Sequence, residues 1–126
     1  MGEEDPAQAD SSENRRKMVR YWVTGRGTWT PSAAPAPIEF ALLDISMGGV
    51  CFRCERNLAL GAQGLLQFSV FCDSGPVAVR TQAQIRYCIL ERAGHRTGVS
   101  FLAPAEADLK AVAAIIAARG RKVPVF

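Results

Sequence analysis

Asp44 and Ser46 stand two residues apart at the end of an apolar run, Leu42-Leu43-Asp44-Ile45-Ser46, and Met47-Gly48-Gly49 follows. In extended backbone, residues two apart share a face, so a carboxylate and a hydroxyl are presented side by side. Gly48 and Gly49 permit either left-handed backbone or a close approach where the chain reverses into Val50-Cys51-Phe52. The pattern suits a small polar edge that binds through hydrogen bonds. It equally suits a plain hairpin whose Asp and Ser bond nearby amides.

A second chemistry-bearing stretch lies upstream. Arg16-Lys17-Met18-Val19-Arg20 has R-x-x-x-R spacing, and Arg15 immediately precedes it. A guanidinium is a planar fork of donors that fits phosphate oxygens and equally the O6/N7 edge of guanine. Two or three such forks could clamp an anionic guanine nucleotide; a basic arm serving only solubility or an acidic partner has the same composition.

Little else in the chain points to chemistry. His95 is the only histidine, no nucleophile and base fall into a workable spacing, and Glu39 and Asp44 lie an odd number of residues apart on one strand. An enzyme is not expected. Of the four cysteines at 51, 54, 72 and 88, Cys51-x-x-Cys54 has redox or zinc spacing. It falls inside an expected strand, which points the two thiols to opposite faces, and no second such pair exists. Neither a metal nor a cofactor is expected, and the cysteines read as core or half-buried thiols of a reducing compartment.

The elements that must position these residues belong to one domain. The chain has 126 residues, 48% of them apolar and 21% charged, with a net charge of +3. No spanning run or signal segment is visible, so a soluble, cytoplasmic protein is expected. Residues 1–13 hold Glu3, Glu4, Asp5, Asp10 and Glu13 without a base and read as a disordered acidic arm. Residues 14–120 read as the folded domain and 121–126 as a tail.

Strand-like alternation begins at Met18 and is broken by Gly25 and Gly27, and Thr30 to Pro37 is a Pro/Ala connection. Further strands are expected at Ile38–Ser46, Val50–Cys54, Leu65–Cys72, Val77–Leu90 and His95–Leu102. The second, apolar on both faces until Asp44, should run centrally with only its end reaching solvent. In the fifth, Val77, Val79, Thr81, Ala83, Ile85, Tyr87 and Ile89 should share the buried face, with Arg80, Gln82, Gln84 and Arg86 opposite. Pro104 opens a helix in which Leu109, Val112, Ala113 and Ile116 recur at the helical period, and Gly120 stops it. Short antiparallel strands closed by one amphipathic helix indicate a mainly β fold, a small six-stranded barrel with the helix over an opening.

With the arginine motif Arg16-x-x-x-Arg20 before the first strand, Asp44-x-Ser46-x-x-Gly49 at a strand end and Arg96-Thr97-Gly98-Val99-Ser100-Phe101 before the helix, residues 14–119 resemble the PilZ domain family. The resemblance implies a barrel that binds cyclic di-GMP, a cyclic dinucleotide second messenger of bacteria. It implies that Arg16 and Arg20 hold phosphates and guanine edges, that Asp44 accepts from guanine N–H groups with Ser46 in support, and that Gly49 admits the base. An arginine at the position of Arg15 implies two stacked ligands per protomer. Tyr87 stands where some relatives place a stacking aromatic, although core packing beside Ile85 and Ile89 is expected here. With no effector domain in view, the output is expected to pass through another protein. The helix's outer face and the Thr30–Pro37 connection are candidate contact surfaces.

Two other readings compete. One is a PilZ-like interaction module of pilus or flagellar function that ignores the nucleotide. The other is a barrel that binds single-stranded nucleic acid by stacking bases on Tyr21, Trp22 and Trp29.

Overall fold

The computed structural model of the chain describes residues 19–124. The expected acidic arm, Arg15 and Arg16 lie outside the described residues. Strands β1 (Tyr21–Pro31), β2 (Ile38–Ser46), β3 (Gly49–Cys54), β4 (Gln63–Cys72), β5 (Gly75–Glu91) and β6 (Gly94–Phe101) precede helix α1 (Glu106–Arg119), and a two-residue strand β7 (Arg121–Lys122) follows it. The strand order is β2-β3-β6-β5-β4-β1-β7, and β1 also pairs with β2. That pairing closes β1–β6 into an antiparallel ring and removes the free edges an open sheet would leave.

The apolar residues that alternate along these strands meet inside the ring. Trp29, Phe52, Leu66, Ile85 and Ile45 are fully buried, and the Phe40 and Phe52 rings stack with centroids 4.0 Å apart. Trp29 is thus a core residue and is not presented to a base. Val112 and Ile115 of α1 join the same core. The side chain of Asp108 fixes the start of the helix by accepting from the Arg80 backbone N–H at 2.9 Å. Ala113, expected on the apolar face, is exposed, and Ile115 takes that role.

The first strand does not stop at Gly25 and Gly27 but runs through both to Pro31. Here the glycines serve packing. A Cβ on Gly27 would overlap the Gln67 carbonyl oxygen of β4 and come within 2.6 Å of the Phe40 ring of β2. With no side chain, β1 can lie between β2 and β4 and complete the ring. The tail also pairs: Tyr21 and Trp22 face Lys122 and Arg121 across the β1–β7 ladder.

Three ladders contain one residue too many. Between β1 and β2, the extra residue is on β1, between Trp22 and Gly25. Between β2 and β3, Leu42 faces Phe52 and Asp44 faces Cys51, which leaves Leu43 unpaired. Between β5 and β6, Ile85 faces Val99 and Tyr87 faces Gly98, which leaves Arg86 unpaired. A bulge reverses the in/out alternation of everything after it. Hence Ile85 is buried but Ile89, expected on the same face, is 52% exposed, and Tyr87 leaves the core side with it. By the same step Glu39 and Asp44, expected to point apart, share the outer face of β2.

A Gly27→Ala variant is expected to lose about 1–3 kcal/mol of stability, which chemical denaturation measures. A variant as stable as the parent would mean that β1 is not held by this close approach.

Candidate functional site

The bulges place a cleft on the outer wall of the ring, over β2, β3, β6 and β5. It encloses about 890 Å³ and is lined by Arg20, Asp44, Ser46, Gly48, Gly49, Cys51, Arg86, Tyr87, Gly98 and Ser100, with Val19, Val50, Val99, Val123 and Pro124 completing it. Each is delivered by a strand register. Asp44 pairs with Cys51 and Ser46 with Gly49; Cys51 in turn pairs with Gly98, and Gly49 with Ser100. Tyr87 pairs with Gly98 from the other side. A Cβ on Gly98 would overlap the Tyr87 ring, so the aromatic face lies directly on bare backbone.

Of the residues expected to bind, Arg20, Asp44, Ser46 and Gly49 converge on this cleft. Arg15 and Arg16 fall outside the described residues. Asp44 and Ser46 share a face as expected, but the end of β2 does not reach open solvent. Asp44 is 3% exposed, because Val19, Arg20, Val123 and Pro124 also line the cleft above this floor.

Ser46 does what a turn residue does. Its Oγ accepts from the Gly48 N–H at 3.1 Å and donates to the Gly49 carbonyl at 3.3 Å. Gly49 needs no left-handed backbone; among described residues only Gly61, Gly75 and Gly94 are glycines with positive φ. A Cβ on Gly49 would instead overlap the Val99 carbonyl oxygen, so this glycine lets β3 and β6 approach.

Tyr87 was expected in the core and lines the cleft instead. Its hydroxyl donates to Cys51 Sγ at 3.4 Å. Burial, then the bond to Cys51, pushes the Tyr87 pKa up to about 12, and burial also raises that of Cys51. Both stay neutral near pH 7. Cys51 thus faces the cleft while Cys54 lies in the core, the opposite-face arrangement its spacing predicts. Arg86, Cys51, Gly98 and the Val123-Pro124 segment were missed in the sequence, because their place in the cleft depends on the bulges and on β7.

Asp44 is the electrostatic centre of the site. Burial raises its pKa above the ordinary 3.8, opposed by the positive charges of Arg20 and then Arg96. The position of Arg20 is set by backbone: its carbonyl accepts from the Val123 N–H at 2.9 Å. The cleft therefore offers a partly desolvated carboxylate acceptor, a cation beside it, an aromatic face and the half-buried backbone of Gly48. These groups match a flat, hydrogen-bonding, anionic ligand. Among the described residues no group of His, Cys, Asp and Glu side chains forms a metal set, and no helix is long and apolar enough to cross a membrane.

The described residues thus form a small closed six-stranded barrel with one helix and an Arg–Asp–Ser cleft on its outer wall. Residues 14–118 match the PilZ domain family, and the chain belongs to it. No curated protein matches by sequence. Among solved structures, the chain is similar to the inhibitor of motility MotI/DgrA of Bacillus subtilis, with a TM-score of 0.64 and 17% identity over 75% of this chain and 46% of that one. It is similar to the PilZ domain of YcgR from Escherichia coli with c-di-GMP, with a TM-score of 0.60 and 18% identity over 81% of this chain and 88% of that one. It is also similar to YcgR from Escherichia coli in complex with c-di-GMP, with a TM-score of 0.63, 22% identity and coverage of 81% and 44%. The chain spans less than half the length of MotI and of the longer YcgR chain. At these identities the likeness is one of fold.

The raised pKa of Asp44 sets a stability test. A carboxyl whose folded pKa exceeds its unfolded one favours folding most below the unfolded value and loses that contribution as pH rises through the folded one. At pH 7 the buried charge is then a cost that an amide avoids. Asp44→Asn is expected to change the melting temperature at pH 7 by about 0 to +5 °C, the difference closing towards acid pH. A marked loss at pH 7 would mean that Asp44 is a structural acceptor.

Proposed function

We propose that this chain is a receptor for cyclic di-GMP that acts as an adaptor. The observation that carries the reading is the convergence of Arg20, Asp44, Ser46 and Gly49, from two motifs far apart in sequence, on one cleft of about 890 Å³. That volume lies within the range of about 300–1,000 Å³ usual for ligand sites. Solved relatives of the same fold include YcgR in complex with c-di-GMP.

Asp44 accepts from the N–H edge of a guanine, which requires its carboxylate form. Ser46 holds the turn that carries Gly48 and Gly49, and the half-buried Gly48 presents its backbone to the base. Tyr87 offers the base an aromatic face. Arg20 takes a phosphate or the guanine O6/N7 edge, joined by Arg16, and Arg15 recruits a second nucleotide stacked on the first. Each charged contact contributes about 1.5–3 kcal/mol, and ordering the arginine segment costs about 2–5 kcal/mol. Four or five contacts less that cost leave about −8 kcal/mol, a micromolar affinity.

The ligand draws the segment of Arg15 and Arg16 onto the barrel and so changes the surface read by a partner protein, in motility, pilus or biofilm control. The protein is not an enzyme in this reading: the cleft holds a carboxylate and cations that bind, with no base and nucleophile paired for catalysis among the described residues.

Calorimetric titration tests this with cyclic di-GMP as ligand and GTP as control. Micromolar or tighter binding is expected, weakened at least about tenfold in Arg16→Ala and in Arg20→Ala, and weakening as pH falls through the raised pKa of Asp44. A stoichiometry of two that drops to one in Arg15→Ala is expected. Absence of heat together with an unshifted melting temperature at high ligand would overturn the reading.

A further inference from the structure

The outer wall carries a charged group that the reading above leaves unused. Arg53 on β3 and Arg96 on β6 face each other across the ladder, next in line on the face that holds Cys51 and Gly98. One carboxylate serves both: Arg53 Nη2 donates to Glu91 Oε1 at 3.0 Å, and Arg96 Nη2 lies 3.0 Å from Glu91 Oε2. The trio thus has two positive charges and one negative. The Nε atoms of both arginines are buried and have no hydrogen-bond partner among the described residues.

The placement of Glu91 decides which way Arg96 is held. Glu91 pairs with Gly94 at the β5–β6 turn, so it lies on the side of Arg96 away from Gly98 and the cleft. Arg96 does not line the cleft, yet its charge already bears on Asp44 alongside that of Arg20. Same-face neighbours on a strand are about 7 Å apart, a span that an arginine side chain covers. Turned from Glu91, the Arg96 guanidinium reaches the cleft across the Tyr87 ring, which covers Gly98.

We propose that Arg96 is a further ligand-binding residue, held back by Glu91 in the free protein and transferred to a nucleotide phosphate when the ligand enters. The transfer leaves Glu91 neutralised by Arg53, so no carboxylate is abandoned. It also gives the phosphate a donor from β6 in addition to Arg20. The inference rests on the receptor reading.

Cyclic di-GMP is titrated calorimetrically into the full chain, Arg96→Ala, Glu91→Gln and the double variant, with a thermal melt of each. Arg96→Ala is expected to weaken binding about tenfold or more. Glu91→Gln is expected to strengthen it about threefold by releasing Arg96, and to have no effect once Arg96 is alanine. A brace that merely stiffens the wall would weaken binding in both single variants, and that result overturns the inference. Arg96→Ala within twofold of the parent also overturns it while the receptor reading stands. A parent chain that does not bind overturns both.

Discussion

The site depends on two inserted residues. Asp44 and Tyr87 continue runs whose preceding members, Leu42 and Ile85, point into the core. Without Leu43 and Arg86 as extra residues, strict alternation would carry a carboxylate and a phenol inward as well. Each bulge reverses the alternation once, and the two strands that carry them flank the β3–β6 pair. The floor of the cleft is therefore written into register, not into flexible loops, and its groups hold their positions as firmly as the barrel does.

Burial then gives these groups their electrical character. A carboxylate enclosed among Cys51, Tyr87 and glycine backbone costs stability unless cations answer it, and Arg20 and Arg96 answer it only in part. In the proposed receptor, that imbalance is what a ligand with donors beside anionic groups relieves, with its N–H edge on Asp44 and its phosphates on the arginines. The family's arginine and Asp-x-Ser motifs are thus two halves of one electrostatic arrangement. The C-terminal segment joins them, since β7 and Val123 pin the backbone of Arg20 beside the cleft.

Much of this was legible in the residues. The period-two runs locate strands β2 to β6 to within one or two residues, because a closed barrel with a solvated outside enforces alternation. Asp44 and Ser46 share a face for the same reason, and Cys51 and Cys54 do not. The bulges were not legible: one extra residue in a strand changes neither composition nor propensity, so Tyr87 and Ile89 read as core. Gly25 and Gly27 read as breaks because a glycine that ends a strand and one that admits a neighbour look alike in one dimension. Ile115 in place of Ala113 reflects the rotation at which α1 meets the ring, and the Arg53–Glu91–Arg96 trio joins three strands that only the fold brings together.

The central claim is that one cleft, the one floored by Asp44 and Gly98, takes the nucleotide. Amide chemical-shift mapping during a cyclic di-GMP titration tests it most directly. Shifts are expected at Arg20, Asp44 to Val50, Tyr87, Gly98 and Val123, with the Trp22–Phe71 surface on another part of the wall unmoved. Saturating ligand that leaves those amides unshifted, or that shifts the Trp22–Phe71 surface instead, would contradict the claim.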